Sequence, residues 1–244
     1  MSRRVVAIHQ PNFFPWLGFF DKVIRSDVFI VLDHVQFPKS EGNWSNRVKM
    51  AVNGEAAWVT MPVARDYDGF RRIDEMRIDN RAPWRRKLLQ LLRTNYGRAL
   101  AFREVFPVVE SWVETPADLV ADYNIGVVTA MCATLGLRSS HLVRSSTLGA
   151  DGAKSELVAN LVTAVGGTAY LSGDGSGGYL QEEVLTSAGV AVEYQHFRHP
   201  EYLQRPGHGF IAGLSILDAI FHCGFDGTSR VLDVTRGLGP GASR

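Results

Sequence analysis

Cysteine is scarce here: the 244 residues hold two, Cys132 and Cys223, each inside an apolar helical pattern, "VVTAMCATLG" and "LDAIFHCG". Two isolated thiols make neither a disulfide framework nor a zinc site, so both read as core residues. An excess of charge of one sign is missing too. The 26 Lys and Arg nearly cancel the 25 Asp and Glu, which removes any global argument for nucleic acid or an anionic membrane as a partner. No apolar run approaches the roughly 18 residues of a membrane span. The stretch VVAI near the N-terminus is too short for a signal peptide. A cytoplasmic protein is therefore expected, with neither a membrane nor a nucleic-acid partner. HExxH, paired-Cys, GxSxG and Walker signatures are likewise missing. His9, Asp33 and His34 make a metal site the least favoured use of those residues, and neither a metal nor a cofactor is expected.

What is present is an ordinary globular composition. With 45% hydrophobic residues the chain is able to bury a sizeable core. No internal repeat is evident. Short β-branched runs place strands near 5–9, 28–33, 57–63, 141–145, 168–172 and 190–195. Apolar periodicity places helices near 16–26, 83–96, 101–114, 117–135, 152–165, 179–188 and 213–223. Pro83 and Pro116 suit first helical turns, while Gly97, Gly136, Gly166 and Gly224 stand where helices should stop. Strand and helix alternate in the first and last thirds, the pattern of a mostly parallel sheet covered on both faces. The expectation is one α/β domain over 1–235 with a helical cap or insertion at about 64–136, then a flexible tail, 236–244.

In open parallel sheets ligands bind beyond the carboxyl ends of the strands. Here apolar strands end repeatedly in hydrogen-bonding residues: His9-Gln10, Asp33-His34 with Gln36, Arg144-Ser145-Ser146, "SGDGSGG" from Ser172 with Asp174, and Gln195-His196. His9 suits a general base, and Asp33 or Gln36 could steer it. The glycines of "SGDGSGG" would let backbone N–H groups approach an anion, or serve as a plain turn. In "PKSEGNWSNRVKM" the alternation of a strand puts Arg47 and Lys49 on one face and Asn46 on the other. With Lys39, these cations suit a phosphate, sulfate or carboxylate, or else form a solvated edge. Phe13 and Trp16 are the aromatics expected to face a ligand, the neighbouring Phe14, Phe19 and Phe20 being core. The helix "PWRRKLLQLLRTNYG" reads as an amphipathic surface element, with docking of an acidic partner as the minority use.

Several motifs then resemble one family along nearly the whole chain. "HQPNFFPWLGFF.K…SDVFIVLD.VQF", "NR" at 46–47, "W.T.PV" at 58–63, "YLSG…YL" at 170–180, "P.Y.Q" at 200–204 and "LSILDAIFHCG" at 214–224 are similar to WbqC-like proteins. The resemblance implies a biosynthetic role, since members occur among genes for O-antigen and other polysaccharides and for specialised metabolites. It adds Tyr202 to the candidate substrate-binding residues. The family commonly has two aspartates before "VQF"; this chain has Asp33-His34, and His34 could act there as a base. A weaker likeness, to the opening of HIGH-type nucleotidyltransferases, supports a Rossmann-like or nucleotidyltransferase-like core and an anion near His9. Without the following His or a second signature it does not support nucleotidyl transfer.

The resulting expectation is an enzyme acting on a small anionic, amine-bearing intermediate, by group transfer or by displacement of phosphate or sulfate, intramolecular ring closure included. His9, Asp33 and His34 would be catalytic. Gln10, Phe13, Trp16, Gln36, Lys39, Asn46, Arg47, Lys49, Ser172, Asp174, Gln195 and Tyr202 would bind substrate, which a small acidic carrier or partner enzyme could present. The alternatives are an acyl or aminoacyl transferase on a nucleotide-linked amino sugar, and a non-catalytic scaffold for another biosynthetic enzyme.

Overall fold

Short runs of β-branched and aromatic residues build a five-stranded sheet: β1 (Val5–His9), β2 (Val28–Val31), β5 (Leu142–Arg144), β6 (Ala169–Ser172) and β7 (Ala191–Tyr194). These come from a computed structural model that describes residues 2–38, 44–137, 141–174, 180–204 and 209–237, with side chains left aside for 234–237. The strands lie in the order β5-β2-β1-β6-β7, each pair parallel. The chain thus builds outward from β1 on one side, then returns to build on the other. The order reverses between β1 and β6, and there the connections diverge to leave a crevice beyond the strand ends.

Strand alternation sorts the core into two layers. Val5, Ala7, Phe29 and Val31 face α1 (Leu17–Arg25), α2 (Trp84–Tyr96), α3 (Phe102–Val113), α4 (Val120–Thr134) and α7 (Ile216–Gly237). Val6, Ile8, Val28 and Ile30 face α5 (Lys154–Ala164) and α6 (Glu182–Ser187). The helical stretch between residues 64 and 136 therefore packs with α1 and α7 into the larger layer. A separate antiparallel hairpin, β3 (Arg47–Val52) and β4 (Glu55–Thr60), turns on Asn53-Gly54, both in the left-handed region (φ 54° and 86°), as a tight hairpin demands.

Two helix boundaries differ notably from the sequence expectation. Helix α4 begins at Val120 rather than just after Pro116 because residues 118–120 are drawn into backbone bonds with 76–78: Ile78 N donates to Asp118 O and Val120 N to Met76 O. Helix α7 does not end at Gly224. That residue breaks the helical geometry (φ 73°) and the chain resumes a helix beyond it, to Gly237. The expected tail passes out of the described residues after Gly237.

Buried Asn124, on α4, ties together the two loops that enclose the N-terminal aromatics. Its Nδ2 donates to Pro11 O at 2.9 Å and to Ser45 O at 2.6 Å. Replacing it by Ala strands two carbonyls. Asn124→Ala should therefore lower the unfolding free energy by about 2 kcal/mol, read from urea titration with an unchanged m-value; a change below about 0.5 kcal/mol would show that the loops are held by other contacts.

Candidate functional site

A cavity of about 650 Å³ opens beyond the ends of β1, β6 and β7 against helix α1. It is lined by His9, Trp16, Lys22, Tyr170, Asp174, Gln195, Phe197 and His199, with Gly18, Gly173, Ala212 and Gly213 between them. Its volume suits a small molecule.

His9 ends β1 on the α1 side, its ring edge-on to Phe19 at 5.1 Å. Nδ1 lies 3.0 Å from Gln10 O. A carbonyl can only accept, so Nδ1 carries the proton and Nε2 is left as the acceptor. Burial first, and then the neighbouring Lys22 charge, lower the His9 pKa to about 4 against the opposing pull of the Gln10 bond. The imidazole is neutral at physiological pH.

Lys22 is only 5% exposed. It and Asp21 are buried charged residues in the helix LGFFDKVIR, which is apolar apart from these two and its terminal Arg25. Burial brings its pKa down to about 8, with Asp174 and then Asp21 working the other way. The absence of a side chain at Gly173 makes room for it: a Cβ there would stand 3.2 Å from Lys22 Nζ. Gly18 is required for a similar reason, since its Cβ would lie 2.3 Å from the Trp16 ring, which crosses over it.

The far wall is aromatic. Trp16 meets Phe197 edge-on at 5.1 Å, and His199 lies nearly parallel to Trp16 at 6.4 Å. Left-handed φ values at Phe14 (42°) and His196 (48°) place backbone strain two residues before Trp16 and one before Phe197, a feature often found at binding sites. Asp174 holds the second bend by accepting from His196 N (2.8 Å) and Phe197 N (3.0 Å). Gln195 ties β7 to α1: Nε2 donates to Gly18 O (2.7 Å) and Asp21 Oδ2 (2.8 Å), while its carbonyl accepts from Arg25 (2.6 Å).

Of the residues singled out in the sequence, His9, Trp16, Asp174 and Gln195 line this cavity, with Gln10 and Ser172 supplying backbone beside it. Asp33 does not line it. Its carboxylate accepts from Arg144 Nε (2.6 Å), Ser145 Oγ (3.0 Å) and both the N and Oγ of Ser146 (2.9 Å each). Burial opposes ionisation, and these donors together outweigh it, holding the pKa below the usual carboxylate range. His34 donates through Nδ1 to the same Ser145 Oγ at 2.6 Å. Phe13 is core, 1% exposed among Phe14, Trp84 and Tyr123. Arg47 and Lys49 lie over Trp58, at 4.1 and 5.4 Å, and Asn46 is bound to Met61 O. Gln36 is exposed, and its backbone bridges to Arg72. Tyr202 donates to buried Asp218 at 2.8 Å beside α7. Lys39 and the 175–178 part of "SGDGSGG" lie outside the described residues. In the Arg-rich helix α2, Arg85 is bound to Val113 O, Thr115 O and Asn80, and Arg93 to Glu110.

Sequence reasoning passed over Lys22, Tyr170, Phe197 and His199. For Lys22 the signal was available: a lysine in an apolar stretch, standing at the charged position of the "HQPNFFPWLGFF.K" motif.

Comparison with known proteins agrees with that motif. The model of the WbqC-like protein family matches residues 10–230. The uncharacterized protein Rv1507c of Mycobacterium tuberculosis is 31% identical over 223 residues, covering 90% of this chain and 94% of the relative. No solved structure matches.

Two variants separate the roles of these charges. Between about pH 8 and about pH 10.5 the unfolded chain holds a proton on Lys22 that the fold has released, so stability should rise with pH across that window; below it the burial penalty is complete. Lys22→Met should stabilise the protein at pH 7 by on the order of 2–3 kcal/mol and flatten that rise, as followed by denaturant titration at several pH values. A loss of stability would mean that the ammonium supports the fold. Asp33→Asn should instead cost about 3 kcal/mol while leaving ligand binding in the crevice intact. Full stability with lost turnover would return Asp33 to the chemistry.

Proposed function

The chain belongs to the WbqC-like protein family, and from that premise we propose that it is a biosynthetic enzyme acting on a small anionic, amine-bearing intermediate in the crevice between β1, β6 and β7. The observation that carries the reading is the pairing of a buried ammonium, Lys22, with a neutral imidazole, His9, in one cavity with aromatic walls. A buried cation attracts an anion strongly because water does not screen it. A neutral imidazole with its Nδ1 proton committed offers Nε2 as a base.

The reaction is group transfer or displacement. The amine lone pair attacks the electrophilic carbon, the bond from that carbon to the leaving oxygen breaks, and its electron pair departs as a phosphate or sulfate oxyanion. Lys22 takes the position that Arg47 and Lys49 held in the sequence reading, and stabilises that oxyanion. The proton shed by the attacking nitrogen passes to His9 Nε2, whose basicity rises while an anion lies beside it. Trp16 and Phe197 keep water from competing as nucleophile. The enzyme works in the cytoplasm, in a polysaccharide or specialised-metabolite pathway, on a substrate free or presented by a small acidic carrier or partner enzyme. Arg85 and Arg93 are engaged within the chain, which favours an enzyme over a scaffold that docks through α2.

Sulfate provides a direct test. Thermal melting should show a sulfate-dependent rise in Tm at neutral pH that fades as pH climbs through about 8, the point at which Lys22 loses its proton, and that is missing in Lys22→Met. His9→Ala should keep the sulfate response and lose turnover. Insensitivity of the wild type to sulfate, phosphate and nucleotide sugars alike would sink the anion-site reading.

A further inference from the structure

The hairpin of β3 and β4 leaves one strand edge open. Met61 N donates to Asn46 O, and the ladder alternates from there, so Val48, Met50 and Val52 exchange bonds with Val59, Ala57 and Glu55. The residues between them point their backbone groups away from the hairpin. On β3 such groups are taken: Lys49 O accepts from Ser215 N at 2.8 Å, and Ala51 N donates to the Tyr96 hydroxyl at 3.0 Å. On β4 the outward N–H and C=O groups of Ala56, Trp58 and Thr60 have no partner among the described residues. All three residues are exposed. Edges of this kind are ordinarily guarded by lysine, proline or a bulge. The run 56–60, AAWVT, has neither lysine nor proline, and it pairs with β3 residue for residue, without a bulge.

Both flanks of that edge are shaped. Where the inner face of β4 meets α2 lies a pocket of about 110 Å³, lined by Phe13, Val59, Trp84, Leu88 and Leu91 with the exposed Lys87. It has room for one apolar side chain. On the outer face Trp58, 39% exposed, meets Trp44 edge-on at 4.9 Å and lies under Arg47 and Lys49. Both cations are partly exposed, and neither has a hydrogen-bond or carboxylate partner among the described residues. Stacking on the indole orients a guanidinium without using its donors. The hairpin's own residues on this face are Arg47, Lys49, Ala51, Ala56, Trp58 and Thr60, so no carboxylate of the hairpin offsets the two charges.

We propose that the free edge of β4 docks an extended segment of an acidic partner protein, which adds as a third strand. That segment presents one apolar residue to the pocket beside α2, between two acidic residues that reach Arg47 and Lys49. Strand alternation dictates the spacing: a residue opposite Val59 points to the pocket, and its neighbours point to the face of Trp58. Main-chain bonds to Ala56, Trp58 and Thr60 supply affinity, and the alternate side chains supply selectivity. A second copy of this chain fits less well. Pairing β4 with β4 brings no carboxylate to the outer face and places the cations of both copies on it. The inference is independent of the anion site in the crevice.

Fluorescence anisotropy of a dye-tagged, end-blocked peptide, Thr-Ser-Asp-Leu-Asp-Ser-Thr, tests it. This peptide should bind the wild type about tenfold more tightly than its counterpart with Lys for both Asp. The double variant Arg47→Glu, Lys49→Glu should reverse that preference. Thr60→Pro removes an outward N–H while leaving the bonds between β3 and β4 in place, so Tm should hold and binding should fall about tenfold. N-methylation of the peptide makes the same test without altering the protein: methylating either both Asp or the Leu, according to strand direction, must abolish binding. Binding that survives both methylations overturns strand addition, and equal binding of the Asp and Lys peptides overturns the acidic partner. Self-association in sedimentation that Thr60→Pro abolishes makes the occupant a second copy and overturns the proposal, as does a wild type that ignores the Asp peptide.

Discussion

Gln195 holds the crevice to its shape. Its side chain joins the end of β7 to Gly18 and Asp21 of α1, and its carbonyl takes Arg25 from the next turn. Pulling the strand from the helix would leave a buried amide, a buried carboxylate and a carbonyl unpaired together, each at a desolvation cost. Everything else at the site hangs from the two elements so joined. Helix α1 supplies Lys22 and the bare backbone under Trp16, and the segment after β7 supplies Phe197 and His199. A nine-residue helix with no side-chain cap would be a poor anchor alone. Packed by Leu17, Phe19, Phe20 and Val23 into the larger core layer, it is a rigid one.

The electrostatics of the crevice oppose folding, which is common where residues are held for binding or catalysis. An ammonium is carried into low dielectric, and burial lowers the pKa of two imidazoles, those of His9 and His199. In both histidines the neighbouring carbonyl selects the tautomer, so neither needs a carboxylate partner to direct Nε2. That local device explains why Asp33, the obvious candidate in sequence to steer His9, is spent elsewhere.

Much of this was legible in the residues. The α/β class and the strands follow from short β-branched runs, and the polar residues that end them are what pointed to the carboxyl edge of the sheet. His9, Asp174 and Gln195 were singled out at such strand ends, and Trp16 among the aromatics that follow β1; all four line the cavity. Less legible was anything that depends on which strand lies beside which. Asp33 and His9 are two residues past β2 and at the end of β1, adjacent strands by the register that pairs His9 with Val31. Sequence alone could not tell that β5 would arrive on the other side of β2 and bring Arg144, Ser145 and Ser146 to the carboxylate. Arg47 and Lys49 share a strand face as alternation requires, but the hairpin aims that face at Trp58. His199 was hidden for a different reason: it lies on an irregular segment where no periodicity indicates direction.

The carboxyl edge of the sheet therefore holds two polar clusters of opposite character, and counting their hydrogen bonds tells them apart. Around Asp33 the bonds close: four donors meet one carboxylate, and His34 completes the hydroxyl of Ser145. A carboxylate satisfied in this way rigidifies a junction. Around Lys22 the bonds are less complete: among the described residues no donor meets the second imidazole nitrogen of His9, which lines the cavity. Stability alone would favour filling such a place with apolar side chains, as in the core layers on either side. The folding free energy forgone by keeping it polar is the physical argument for the proposed substrate site at this cluster rather than at the more conspicuous Asp33-His34 pair.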